Sequence, residues 1–98
     1  MTPKDLELAD RLTGLLQLPL DSSADVDPWM DACDKVQVWL DANAIEVPHH
    51  LWHYFADPDI RAKNQGYRTH QEEAVRRFIR QLRGEEPPEA KLPWWRFW

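Results

Sequence analysis

Three histidines crowd one short stretch, His49, His50 and His53, with Asp57 four residues after the last and His70 further along. On a helix His49 and His53 share a line that Asp57 extends, and zinc accepts neutral imidazole and carboxylate at such spacings. A set of His49, His53, Asp57 and His70 is therefore the metal reading of this chain. Against it, no glutamate follows His49 as in an HExxH pattern, and the single cysteine, Cys33, falls among apolar neighbours. No cofactor is expected. His50 or His53 with Asp57 could form an acid–base pair, but such pairs recur in any acidic protein. No serine stands at a nucleophile elbow, and three glycines supply no phosphate-cradling loop. The expectation is a protein without catalysis.

A second group is cationic. Arg76, Arg77, Arg80 and Arg83 repeat at helical spacing, and with Arg61, Lys63 and Arg68 they set seven cations against two glutamates over residues 61–83. Arginine suits phosphate, so nucleic acid is one candidate partner. Against it stands the overall acidity of the chain, and a helix-turn-helix drawn from residues 28–43 and 48–56 would have a second helix without arginine. The expectation is a solvated face in which Glu72 pairs with Arg76 and Glu73 with Arg77, each four residues apart.

The third group is aromatic. Six tryptophans stand in the chain: Trp29, Trp39 and Trp52 spaced through its body, and Trp94, Trp95 and Trp98 in its last five residues beside Arg96 and Phe97. Trp and Arg are the residue types that anchor interfaces. The cluster has three readings: packed on the body, a ligand for another protein, or seated at a membrane surface. Glu85, Glu86 and Glu89 oppose an anionic membrane. Another protein is the expected partner, reached through Trp94, Trp95, Arg96, Phe97 and Trp98, or through a histidine-edged aromatic surface around Trp52 and Tyr54.

The elements that must position these groups read as helices. Thr2-Pro3 opens one whose apolar line is Leu8, Ala9, Leu12, Leu15 and Leu16, stopped by Pro19. Residues 19–27 read as a loop. Asp27-Pro28 opens a second helix, with Trp29, Ala32, Cys33, Val36, Trp39 and Leu40 on one face and Asn43 as its stop. Pro48 and Pro58 bracket a third of two to three turns, and Asp57-Pro58 starts a further short turn. After a break at Asn64-Gln65-Gly66, the last long helix runs from Tyr67 to Arg83, stopped by Gly84. Pro87-Pro88 favours an extended linker.

The fold class is all-α: a small bundle of three main helices plus one or two short helical turns, with an extended Trp-rich tail. The helical domain is expected over 1–84 and the linker and tail over 85–98. The net charge of −5 hides a division, because residues 1–60 hold three cations against twelve carboxylates and residues 61–98 hold nine against five. The two parts could attract each other within one fold. No apolar run approaches the roughly 18 residues that span a bilayer, and the acidic opening is unlike a secretory signal. With one cysteine and no internal disulfide, a reducing cytoplasm is the expected setting.

Overall fold

Thr2 starts the first helix by a reciprocal cap: its Oγ1 accepts from the Asp5 N–H and the Asp5 carboxylate accepts from the Thr2 N–H, both at 3.1 Å. The computed structural model describes residues 2–85. Helix α1 spans Pro3–Gln17 and buries Leu8, Ala9, Leu12 and Leu15, the line expected from the 3.6-residue period. Leu6 strays from that line and is exposed.

The stretch expected as a loop carries more structure than its composition suggested. Leu20 is buried in the core. Asp25 accepts from the N–H groups of Asp21 and Ser22, fixing one turn of 3-10 helix at Ser23–Asp25. That turn runs directly into helix α2, Val26–Ala42, which starts ahead of the expected Asp27-Pro28 signal. Pro28 still lies within the first turn, where it removes no intrahelical bond. Trp29, Cys33, Val36 and Leu40 form the buried face. Burial pushes the Cys33 thiol up to about 11, making it a core residue and a poor nucleophile.

Helices α3, His49–Ala56, and α4, Pro58–Lys63, are the two short ones, separated by Asp57. Helix α5 spans Gln65–Leu82. It starts before Tyr67 because the Asn64 side chain caps it, accepting from the Tyr67 N–H at 3.0 Å. The residues that read as a break are a cap and a first turn. Three long helices and two short ones make the chain all-α, with no strand among the described residues. None of these helices is long and apolar enough to cross a membrane. Helix α5 lies against α1, α3 and α4, and α2 lies against α1 and α4.

A charged side chain sits inside this arrangement. Arg61 of α4 is 1% exposed. Its guanidinium carbon lies 4.6 Å from the Trp29 ring centre and 4.1 Å from that of Tyr54. Nη1 donates to the Tyr54 carbonyl and, at 2.7 Å, to Gln71 Oε1. The Gln71 amide donates in turn to Tyr67 Oη and Asp57 Oδ2, and the Tyr67 hydroxyl donates to Asp57 at 2.6 Å. Arg61 Nε and Nη2 have no hydrogen-bond acceptor among the described residues. The two aromatic faces beside the guanidinium join the Tyr54 carbonyl and the Gln71 oxygen in compensating its charge, and the carboxylates of Glu72 and Asp57 favour it through space.

The ends of α2 and α5 share one geometry. Ile45 N–H donates to the Leu40 carbonyl and Ala44 N–H to that of Asp41; Glu85 N–H donates to Arg80 and Gly84 N–H to Gln81. Both are Schellman closures, which require a left-handed residue. Gly84 supplies it at φ 76°, but after α2 the position is held by Ala44 at φ 53°. A Cβ costs about 1–2 kcal/mol there, partly offset by the greater freedom of an unfolded glycine. Ala44→Gly should therefore stabilise the protein by about 0.5–1 kcal/mol in urea unfolding. Destabilisation would show that Ala44 does not hold this conformation.

Candidate interaction surface

The helical period puts His50 and His53 on one side of α3, and His70, Glu73, Ala74, Arg77, Phe78 and Gln81 along one stripe of α5. Where α3 meets α5 these stripes border a groove of about 530 Å³, with Pro48 at the α3 end. The Phe78 ring meets His50 edge-on, with centroids 6.1 Å apart. A smaller hollow of about 240 Å³ also borders His50, His70 and Ala74 and extends to His53, Tyr67 and Gln71. Pro48, Ala74 and Phe78 provide apolar contact. The rim carries imidazoles, a guanidinium, a carboxylate and amides, so it offers both donors and acceptors.

The metal reading does not survive this geometry. His49 and His53 meet ring to ring, with centroids 5.6 Å apart. Helix α3 ends at Ala56, so Asp57 leaves the helical line and turns to Tyr67 and Gln71. His70 stands on α5, bordering the groove. No three His, Cys, Asp or Glu side chains are placed to hold a metal ion among the described residues. His49, His53, Asp57 and His70 are thus not one site.

Tyr54 also has to be reassigned. It is 1% exposed and meets Trp29 edge-on at 5.3 Å, with Arg61 on its face. Burial raises its phenol above the ordinary range. The expected surface around Trp52 and Tyr54 reduces to Trp52, which is 40% exposed and rests edge-on against the buried Phe55. Trp94, Trp95, Arg96, Phe97 and Trp98 lie outside the described residues.

The arginine face divides in two. Arg77 borders the α3–α5 groove, whereas Arg76, Arg80 and Arg83 border a separate cleft against α1. Glu72 pairs with Arg76 at 3.4 Å as expected, and Glu73 also stands near Arg76 and Arg80, at 4.0 and 3.7 Å. Arg83 reaches Asp10 at 3.2 Å. Arg68 is withdrawn from any cationic surface: it donates to the Leu20 carbonyl and pairs with Asp21 and Glu72. The pairs Arg68–Asp21 and Arg83–Asp10 join the basic and acidic parts of the chain within one fold. Arg61, counted with the cations from sequence, is in the core.

With no three His, Cys, Asp or Glu side chains placed to hold a metal ion among the described residues, an equimolar addition of zinc should move the thermal unfolding midpoint by less than about 1 °C. A rise of about 5 °C or more, removed by His49→Ala or His53→Ala, would restore the metal reading. No family model, curated protein or solved structure matches the chain.

Proposed function

We propose that this chain is a small non-catalytic protein-interaction module whose α3–α5 groove receives an extended segment of another protein. The observation that carries the reading is the groove itself, an apolar strip of Pro48, Ala74 and Phe78 edged by His50, His70, Glu73, Arg77 and Gln81. Apolar contact surrounded by a few fixed polar groups is how short segments are held and oriented. The partner segment brings an apolar side chain to Phe78 and Ala74, with backbone or side-chain groups bonding to the rim. Non-catalytic use fits the position of Asp57, whose carboxylate accepts from Tyr67 and Gln71 and ties α5 to the α3–α4 junction.

The test uses a photoreactive phenylalanine analogue at His70, in the groove, and at Lys35, exposed on α2, in cells that produce the protein. A protein adduct is expected from position 70, abolished by Ala74→Arg, which fills the groove, and reduced by the exposed Arg77→Glu. Equal adducts from both positions, or an adduct unaffected by Ala74→Arg and Arg77→Glu, would defeat the reading.

A further inference from the structure

On the other side of α5, residues 76, 79, 80 and 83 follow the i, i+3, i+4, i+7 line of one helical stripe, and on α1 residues 13, 16 and 17 follow i, i+3, i+4. The two stripes enclose a cleft of about 360 Å³. Its apolar part is Leu16 and Ile79; its polar part is Thr13, Gln17 and the three arginines, and no carboxylate stands among the described residues that line it. From this arrangement we infer that the cleft is a binding site for a phosphate monoester, with the dianion on Arg76, Arg80 and Arg83 and the carbon skeleton on Leu16 and Ile79.

The argument rests on charge and donor geometry. Guanidinium groups present parallel N–H pairs that match phosphate oxygens, and clusters of them are a recurrent means of holding phosphorylated groups. The carboxylates that pair with these arginines among the described residues lie outside the lining. Arg76 meets Glu72 and Glu73 at 3.4 and 4.0 Å, Arg80 meets Glu73 at 3.7 Å, and Arg83 meets Asp10 at 3.2 Å. Glu73 and Asp10 have side chains 63% and 78% exposed. The exposed pairs to Glu73 and Asp10 are weak, and a dianion competes with them for donors, while Glu72, 12% exposed and shared with Arg68, keeps its hold on Arg76 at the edge of the cleft. Arg83 Nη2 also lies 3.3 Å from Thr13 Oγ1, which ties this arginine to the α1 wall.

A nucleic-acid strand fits less well. It needs cations continuing along a surface, but Arg77 lies in the other groove and the chain carries a net charge of −5. A single dianion needs only the three arginines of the cleft. The cleft shares no lining residue with the α3–α5 groove, so its test stands apart from the reading above.

The test is a titration of the isotope-labelled full chain with phenyl phosphate, followed by ¹H–¹⁵N NMR. Saturable shifts are expected at Thr13, Leu16, Gln17 and Ile79 and at the Nε–Hε groups of the three arginines. Arg80→Gln and Arg83→Gln should each weaken binding by about tenfold, and Arg77→Gln should leave it within about twofold. Arg76→Gln replaces either variant that fails to give a folded spectrum. Parallel titrations with adenosine monophosphate and a phosphotyrosine peptide identify the source: tighter binding of the first assigns a free nucleotide, and of the second a phosphorylated protein. The inference is overturned if phenyl phosphate gives no saturable shift by ~10 mM, if Arg77→Gln weakens binding as much as Arg80→Gln, or if only single-stranded DNA saturates the cleft.

Discussion

A buried guanidinium between two aromatic rings is the constraint on which the rest of this structure depends. Removing an arginine from water is expensive, and burial lowers its pKa from the ordinary value. The environment offsets that penalty with the faces of Trp29 and Tyr54, the Tyr54 carbonyl and the Gln71 amide oxygen. Each of these comes from a different part of the fold: Trp29 from α2, Tyr54 from α3 and Gln71 from α5. A single side chain of α4 therefore fixes the mutual position of three other helices. Trp29 extends the connection to α1 by donating its indole N–H to the Leu15 carbonyl.

The same network decides what is left for the surface. Asp57, Tyr67 and Gln71 are bonded to one another beneath the junction of α3, α4 and α5. This takes the carboxylate away from the histidine line and ties α5 to the α3–α4 junction, near the groove that His50 borders. On its opposite side α5 meets α1 through Ile79, and the longer side chains of Arg76, Arg80 and Arg83 stand over the seam. One helix thus presents two surfaces of different chemistry, a mixed apolar groove and a cationic cleft.

Much of the scaffold was legible because it is written in local rules. Thr2-Pro3, Pro58 and Gly84 mark helix ends through caps and backbone freedom, and the apolar lines of α1 and α2 follow the 3.6-residue period. Arg61 was not legible, since a reading that assigns charge to the surface has no means of seeing two rings brought together by tertiary packing. Tyr54 was missed because α3 is two turns long, too short for its period to separate buried from exposed aromatics. The arginine face misled for a related reason: spacing places Arg76, Arg77, Arg80 and Arg83 on one helix but does not say which neighbour each will border. Leu20, buried from within an apparent loop, carried no periodic signal at all.

The most direct measurement of the central claim is the urea unfolding of Arg61→Lys. Lysine keeps the charge at that position but lacks the plane that lies against two rings and the fork that reaches Tyr54 and Gln71 together. The expected result is a loss of about 2–4 kcal/mol, because a buried cation would be left without its compensating contacts. A variant whose stability stays within about 0.5 kcal/mol of the parent would contradict the account, since the geometry of the guanidinium would then not be what holds the helices together.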